Sequence, residues 1–366
     1  MSDRQVLILT GVVALVALVA GGVLANRAAG VAAERDARVA AVAEAAFGDA
    51  ERREELRSTL DSLARAAAGE RGRTGLAVRD VRYGTQMVAG SPDTAAAFPM
   101  MSVYKVPIAV AVLADAAEGK LSLQDTVEFR PNDVRAFRSP LSERSPEGGE
   151  RLTVDQLLEL AVTESDNAAS DLLLELVGGA DAVNSRMRLL ELEGIRVDRS
   201  ERELALDMLG VDGADREREF SRAQWDSLAS ATPDERAAAA MDVYVDDERD
   251  TTTPAAMATL FARLASGSLL PPPYTQRLLE LLENPAGQPR LRAGLASGTR
   301  AWSKGGTSMR AGERIGAYND VAIIERPDGR RTVIAMFVSG TEVEPDSLRE
   351  LARSIGEAVS TSGEGG

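Results

Sequence analysis

The sequence contains neither cysteine nor histidine, and these two absences exclude several kinds of chemistry. Without cysteine the chain can form no disulfide, has no thiol nucleophile and offers no site for lipoprotein attachment. Without both residue types it lacks the usual zinc ligands, and we expect no metal ion and no other cofactor. A Ser-His-Asp triad is impossible because its base is missing. A nucleophilic serine would therefore need lysine, a carboxylate or a water molecule for its activation.

Lysine and net positive charge are also scarce. Only three lysines, Lys105, Lys120 and Lys304, occur among the 42 lysine and arginine residues. A chain that prefers arginine so strongly can retain lysine where a base must lose its proton, which a guanidinium cannot do. The net charge of −15 argues against a nucleic-acid partner, because phosphate binding needs clustered basic side chains.

One long stretch lacks charge altogether. The run from Val6 to Ala25 is apolar over 20 residues, which is enough for a helix that spans a bilayer. It is either an uncleaved membrane anchor or a signal peptide with a weak cleavage site at Val23-Leu24-Ala25. Both alternatives predict an exported protein, in the periplasm or on the extracytoplasmic face of the membrane. Residues 26–48 are then predicted to form a helical stalk, and residues 49–362 a catalytic domain.

The predicted elements indicate an α+β fold. Helices are predicted at 50–68 and 345–359 and throughout the middle of the chain, from 101 to 283. Strands are predicted near both chain ends, at residues 74–81, 85–89, 320–325 and 332–338. This arrangement indicates an antiparallel sheet built from both chain ends and flanked by helices, with an inserted all-helical lobe.

Ser102 and Lys105 lie at the start of an apolar helical run, Val106 to Ala114. On a helix they would share one face of the first turn. The lysine amine could then reach the serine hydroxyl, and burial would lower the lysine pKa towards that of a usable base. The alternative is a capping serine beside a surface lysine, and this pair alone does not decide between the two.

Two further polar clusters can contribute to a substrate site. Ser165 and Asn167 follow the apolar run 157–162, where they fit either a helix cap or a proton relay with an amide for recognition. Residues 304–307 read Lys-Gly-Gly-Thr at the edge of a predicted strand. Glycine there lets a substrate backbone lie close, and Lys304 offers a charge for a carboxylate. The alternative for this cluster is a glycine-rich hairpin with an incidental lysine.

The order of these three motifs resembles that of the β-lactamases and penicillin-binding proteins. Ser-x-x-Lys at Ser102, Ser-Asp-Asn at Ser165 and Lys-x-Gly at Lys304 follow one another along the chain, and the resemblance covers about residues 50–360. It implies a β-lactamase/transpeptidase-like fold. The start of the class A β-lactamase Ω-loop is similar to Arg196-Val197-Asp198-Arg199-Ser200-Glu201-Arg202-Glu203-Leu204, and its end is similar to residues 247–257.

The class A resemblance implies a mechanism. Ser102 would attack a lactam carbonyl, and either Lys105 or Glu201, acting through a water molecule, would take its proton. Backbone N–H groups of Ser102 and Thr307 would form the oxyanion hole. Glu201 would then activate the water that hydrolyses the acyl-enzyme.

The resemblance also assigns substrate contacts. Ser165 would link Lys105 to Lys304, and a carboxylate-binding arginine would stand at Arg290, or at the position of Tyr318 as in other relatives. The substrate-binding residues would be Asn167, Lys304, Gly306, Thr307 and Arg290. The partner is then a small β-lactam, and we expect a monomer.

The resemblance also implies that Arg199 and Asp250 form an ion pair that closes the neck of the loop. Three features of the sequence depart from the class A pattern. Ala205 stands where the family usually has an asparagine that helps to hold the hydrolytic water. Gly305 lacks the usual hydroxyl beside the lysine. Residues 206–246, called the insertion below, separate two halves of a loop that is normally short.

The insertion is predicted to form two short helices. One covers residues 218–229, and the other follows a capping-box pattern at 232–235 with proline at the first helical position. They form either a flap packed over or beside the active site or a peripheral decoration.

Three functions are compatible with these residues. The leading prediction is a serine β-lactamase that deacylates through Glu201. The first alternative is a membrane-anchored D,D-peptidase that acts on peptidoglycan stem peptides, which Ala205 and the insertion suit somewhat better. The second is a penicillin-binding sensor that is acylated, or merely binds, without turnover.

Overall fold

The computed structural model describes residues 37–90 and 96–361. The predicted anchor or signal peptide, residues 1–25, and the beginning of the predicted stalk lie outside the described residues. Within those residues, no helix is both long and apolar enough to cross a membrane. Residues 37–47 are helical, and at the end of this segment the side chains of Ala46 and Phe47 are buried against the sheet-side core.

The central sheet takes strands from both ends of the chain, which confirms the predicted α+β fold. The strands in chain order are β1 (Arg73–Asp80), β2 (Gln86–Gly90), β3 (Phe98–Pro99), β4 (Thr126–Phe129), β5 (Glu150–Thr153), β6 (Thr251–Thr252), β7 (Arg300–Thr307), β8 (Arg310–Ala311), β9 (Arg314–Glu325) and β10 (Arg331–Thr341). The sheet order is β2-β1-β10-β9-β7, all antiparallel, with β8 paired to β9. Two short pairs, β3 with β6 and β4 with β5, lie outside this sheet.

Helices cover both faces of the sheet and form the lobe between its strands. They are α1 (Ala50–Ala68), α2 (Lys105–Ala117), α3 (Pro140–Arg144), α4 (Val154–Leu158), α5 (Asn167–Leu176), α6 (Ala180–Leu189), α7 (Glu201–Met208), α8 (Arg222–Ala231), α9 (Asp234–Asp246), α10 (Pro254–Ala265), α11 (Pro272–Glu283) and α12 (Pro345–Thr361). α1 packs on one face together with α12, and α10 packs on the other. The side chains of β9 and β10 are accordingly almost all buried, as expected for strands covered on both faces.

The candidate residues from the sequence lie where the lobe meets the sheet. α2 is apolar and buried along nearly its whole length, and it packs against α5, α6 and α11. A 3₁₀ turn, Met101–Tyr104, leads into α2 and packs against the edge strand β7. This contact places the start of α2 beside β7, although the two are far apart in sequence.

One strand was predicted too short. The sequence indicated residues 320–325, but β9 begins at Arg314. Its first half contains Gly316, where an added Cβ would lie 2.4 Å from the sulfur of Met241 and 3.1 Å from the ring of Tyr244, both on α9. Because this half is covered by the insertion, its burial depends on a distant segment that local periodicity does not report.

The helices of the insertion differ in their boundaries from the prediction. The capping-box pattern at 232–235 was wrong, because Pro233 is the N-cap of α9 and no side chain caps that end. A capping box is present instead at the start of α8, where Ser221 and Gln224 bond each other's backbone N–H groups. The first helix therefore begins at Arg222, four residues later than predicted, because a capped start fixes where the helix begins.

Candidate active site

The sequence predicted Ser102 on the first turn of the α-helix. In the structure it lies one step earlier, in the 3₁₀ turn that leads into the helix. The preceding residue, Met101, has a φ of 47°, in the left-handed region that a non-glycine residue adopts at a cost. Asn319 on β9 helps to hold this conformation, because its Nδ2 donates to the carbonyl oxygens of Pro99 at 2.8 Å and Met100 at 3.0 Å. The serine is thus presented by a strained turn that is fastened to the sheet.

Lys105 is the first residue of α2, directly after the Ser102 turn, and its side chain is fully buried. Its Nζ donates to Asn167 Oδ1 at 2.7 Å and to the Ser165 carbonyl oxygen at 2.8 Å, and it lies 3.0 Å from Glu201 Oε1. The three ammonium hydrogens therefore have three acceptors. The predicted hydrogen bond to the Ser102 hydroxyl is not among the contacts of the described residues, so Lys105 must first lose a proton and one of these partners before it can accept a proton directly from Ser102.

Glu201 is the first residue of α7 and is buried. Asp171 on α5 fixes this helix start, because its two carboxylate oxygens accept from the backbone N–H groups of Glu201 at 2.6 Å and Arg202 at 3.1 Å. Arg135 in turn pairs with Asp171 at 2.5 Å. Burial raises the pKa of the Glu201 carboxyl, and the neighbouring Lys105 ammonium opposes that rise.

Lys304 on β7 donates to Ser165 Oγ at 2.8 Å. Because Lys105 donates to the carbonyl oxygen of that same serine, Ser165 contacts both lysines. Burial lowers the pKa of Lys304 well below the usual lysine range, and the Lys105 charge lowers it further. An anionic substrate group beside Lys304 would favour the protonated form and reverse part of this shift.

Gly306 lets β7 approach the nucleophile. A Cβ added at Gly306 would lie 2.6 Å from the Met100 carbonyl oxygen and 3.1 Å from the Ser102 backbone nitrogen. A side chain is therefore excluded at this position. At Gly305 the nearest atom to an added Cβ is 3.4 Å away, which is ordinary van der Waals contact. There is thus room for a Cβ at position 305, and steric crowding does not explain why this chain lacks a hydroxyl residue there.

Arg290 and Tyr318, which the sequence offered as alternatives, lie together. The guanidinium carbon of Arg290 is 3.9 Å from the centroid of the Tyr318 ring. Its nitrogens donate to the carbonyl oxygens of Gly306 and Asn319 and to the Thr307 hydroxyl. Arg290 is thereby joined to the strand that carries Lys304, and the Thr307 hydroxyl lies on the same strand face as residue 305.

The neck of the Ω-loop, residues 196–250, is closed by a buried ion pair. Arg199 Nε lies 2.5 Å from Asp250 Oδ2, and Arg199 Nη1 also contacts Asp207 at 2.8 Å and Asp247 at 3.1 Å. Asp250 Oδ1 accepts from two backbone N–H groups, those of Asp198 and Arg199. This network lies outside the catalytic cavity and fixes the loop that carries Glu201.

The structure brings most of the candidate residues to one cavity of about 500 Å³. Eight of them line it: Ser102, Ser165, Asn167, Glu201, Arg290, Lys304, Gly306 and Thr307. One side is cationic, with Arg290, Arg292 and Lys304, and the side formed by α7 is apolar after Glu201, with Leu204, Ala205 and Met208. Among the described residues, no group of three carboxylates could hold a metal ion.

Sequence reasoning missed three buried polar residues around this cavity. Asp171 positions Glu201, and Asn319 positions the turn that carries Ser102, by the contacts given above. Asp320 lines the cavity and accepts from the Leu291 backbone N–H at 3.1 Å; burial raises its pKa, and the Arg290 charge opposes the rise. Only Asp171 carried a signal, since it lies one helical turn after Asn167.

Comparisons with known proteins agree with this architecture. The model of the "Beta-lactamase enzyme family" matches residues 55–362. β-Lactamase VEB-1 from Pseudomonas aeruginosa is 29% identical over 244 residues, which cover 66% of this chain and 70% of VEB-1. The solved structure of a β-lactamase from Chitinophaga pinensis is similar with a TM-score of 0.67 and 26% identity, over 84% of this chain and 98% of that one. An ancestral class A β-lactamase is similar with a TM-score of 0.64 and 30% identity, over 83% and 98%.

Proposed function

The chain belongs to the β-lactamase enzyme family and is a class A β-lactamase-like serine hydrolase, and on this premise we propose that it hydrolyses the amide bond of β-lactams. Ser102 is the nucleophile and becomes acylated by the opened lactam. A water molecule activated by Glu201 then attacks the acyl-enzyme and regenerates the serine.

The observation that carries this proposal is the shared cavity of Ser102 and the buried Glu201 carboxylate. Lys105 lies 3.0 Å from Glu201 and begins the helix that follows the Ser102 turn, so two candidate bases lie close to the segment that carries the nucleophile. Because burial raises the pKa of Glu201, its ionised form is a stronger base than an exposed glutamate. These are the groups that both acylation and deacylation need.

In acylation, Ser102 Oγ bonds to the lactam carbonyl carbon while its proton passes to Lys105, or to Glu201 through a water molecule. The C–N bond then breaks, and the ring nitrogen takes up a proton that the Ser165 hydroxyl can deliver. Ser165 is suited to this transfer because its hydroxyl accepts from Lys304 Nζ at 2.8 Å, and the Lys304 ammonium can replace the proton that the hydroxyl gives up. In deacylation, Glu201 takes a proton from water as its oxygen attacks the ester carbon, and Ser102 leaves protonated.

The remaining groups fit an anionic substrate. The close approach of β7 to the Ser102 backbone nitrogen supports an oxyanion hole made by the N–H groups of Ser102 and Thr307. Lys304, Arg290 and the Thr307 hydroxyl offer a site for the carboxylate that β-lactams carry, and Asn167 offers an amide to the acyl side chain. The substrate we propose is therefore a small β-lactam with a free carboxylate.

The experiment follows nitrocefin hydrolysis and intact protein mass in parallel, for the full-length wild type, Glu201→Ala and Glu193→Ala. Glu193 is an exposed carboxylate and serves as the control. We expect turnover in the wild type and the control, and a trapped adduct on Ser102 in Glu201→Ala. Hydrolysis by Glu201→Ala at the wild-type rate would remove Glu201 from deacylation.

Ala205 supports a second candidate function. It lines the cavity next to the Glu201 helix start, where it offers no amide to hold a hydrolytic water. If deacylation is slow for this reason, the wild type and Glu201→Ala will both keep a stable adduct. The protein would then be a D,D-peptidase or a sensor, and release of D-alanine from stem peptides would separate the two.

We also propose that the enzyme acts outside the cytoplasm. The support is the apolar run from Val6 to Ala25, which lies outside the described residues. Cell fractionation with N-terminal sequencing of the mature protein tests this proposal. An intact N-terminus in the membrane fraction indicates an anchor, a new N-terminus near Asn26 indicates a cleaved signal, and an intact protein in the cytoplasm contradicts export.

A further inference from the structure

The insertion contacts the wall of the cleft that carries the nucleophile. Met241, Tyr244 and Val245 of α9 are buried in one apolar cluster with Leu204 and Met208 of α7 and Ala317 of β9. The Tyr244 hydroxyl contacts the sulfur of Met101, the strained residue before Ser102. α9 therefore touches both the helix that begins at Glu201 and the turn that presents Ser102.

The other helix of the insertion, α8, contacts the opposite wall. Trp225 is buried, and its Nε1 donates to the Val134 carbonyl oxygen at 3.1 Å. Arg222 donates to the carbonyl oxygens of Arg135 and Phe137 at 3.3 and 3.2 Å. Asn167 Nδ2 donates to the Ala136 carbonyl oxygen between them at 3.3 Å. α8 and the substrate-binding Asn167 thus hold the same short segment, residues 134–137.

The turn between α7 and α8 is hydrogen-bonded to α7, the helix that begins at Glu201. Arg202, the residue after Glu201, donates to the carbonyl oxygens of Arg216 and Arg218 at 2.6 and 2.8 Å. Within the insertion, Arg216 pairs at 2.7 Å with Asp207, which still belongs to α7. The insertion is therefore fastened at three places: the nucleophile's turn, the start of the Ω-loop helix and the lobe wall.

We propose that the insertion is a brace that fixes the separation of the two cleft walls, and that Tyr244 and Trp225 are positioning residues for the reaction. Tyr244 acts through Met101 on the position of Ser102. Trp225 acts through residues 134–137 on Asn167. The inference rests on the proposed β-lactam hydrolysis, and it gives the insertion a catalytic consequence in place of mere decoration.

We expect substitutions of Tyr244 and Trp225 to have different kinetic effects. Tyr244→Phe removes only the hydroxyl that contacts Met101, and we expect the acylation rate constant to fall about fivefold, the equivalent of one ordinary hydrogen bond. Trp225→Phe removes the hydrogen bond to Val134, and we expect KM to rise about fivefold, with a smaller change in kcat. Val243→Ala is the matched control, because Val243 is adjacent to Tyr244 on α9 but is 67% exposed.

The measurement is single-turnover acylation followed by rapid-quench intact mass, together with steady-state nitrocefin kinetics and a melting temperature for each variant. A role in stability alone would lower the melting temperature but leave the acylation rate constant of the folded fraction unchanged. The proposal is overturned if the wild type turns over and both variants match Val243→Ala. If the wild type itself forms no adduct, the proposed function fails, and the brace fails with it. If Tyr244→Phe does not fold, the KM of Trp225→Phe alone decides.

Discussion

Lys105 Nζ and Glu201 Oε1 lie 3.0 Å apart, and the two side chains are only 0% and 7% exposed. A buried charged pair is tolerated when its remaining hydrogen-bonding capacity is met, and Lys105 meets its own with Asn167 and the Ser165 carbonyl oxygen. The two candidate acylation bases are therefore in direct contact, and the Lys105 charge opposes the rise that burial causes in the pKa of Glu201. Removing the Lys105 charge should therefore raise the pKa of Glu201 further.

The first prediction concerns Lys105 as a proton acceptor. Lys105→Arg keeps the positive charge beside Glu201 but cannot lose its proton, so we expect no acyl adduct on Ser102 within the time that labels the wild type fully. Intact mass after nitrocefin addition is the measurement. Lys120→Arg is the control, because Lys120 is an exposed lysine outside the cavity that pairs with Asp115 and Glu118, and adduct formation should persist. Near-normal acylation of Lys105→Arg would remove Lys105 as the base.

The second prediction concerns Gly306. In Gly306→Ala the new Cβ would stand 2.6 Å from the Met100 carbonyl oxygen, so β7 must move away from the Ser102 backbone nitrogen. We expect acylation to slow about 100-fold, as for the loss of one oxyanion-hole donor. Gly305→Ala is the comparison variant, since its Cβ makes only ordinary contacts and should cost far less. Equal rates in the two variants would contradict the proposed oxyanion hole.

The third prediction is a pH dependence of deacylation. Burial raises the pKa of Glu201, and the residue must be ionised to accept a proton from water. The deacylation rate is therefore maximal when the pH is above that raised pKa, and it falls as the pH drops through it. We expect the acid limb of the single-turnover deacylation rate to lie above the pKa of an ordinary exposed glutamate. A rate that stays constant down to the ordinary glutamate pKa would show that Glu201 does not limit this step.

The fourth prediction concerns the neck of the Ω-loop. Asp250→Asn removes one charge of the buried Arg199–Asp250 pair, and we expect the free energy of unfolding to fall by about 3 kcal/mol. Asp328→Asn breaks an exposed pair with Arg330 and should cost less than about 1 kcal/mol. Urea unfolding of both variants gives the comparison. A loss in Asp250→Asn no larger than in Asp328→Asn would mean that Asp207 and Asp247 alone satisfy Arg199.

The fold was accessible to sequence reasoning where local pattern determines structure. The helix at Ala50–Ala68 has the predicted bounds, and β1 and β10 lie within a few residues of the predicted strands. The first half of β9 and the helix starts of the insertion were misjudged. The start of β9 depends on burial by a segment that is distant in sequence. The start of α9 depends on Pro233, which is the N-cap residue although its side chain makes no capping hydrogen bond.

The sequence by itself determined which chemistry was possible. The lack of histidine and cysteine left lysine, carboxylate and water as the only means of activating Ser102, and the three motifs with their order indicated the family. Only the tertiary structure decided which partners meet. It directed the Lys105 ammonium to Asn167, Ser165 and Glu201, stacked Arg290 on Tyr318, and placed the insertion against both walls of the cleft. Contacts of this kind join residues that are 28 (Arg290 and Tyr318) to 143 (Met101 and Tyr244) positions apart in the chain, and their geometry is fixed by packing across the whole domain, which no local pattern encodes.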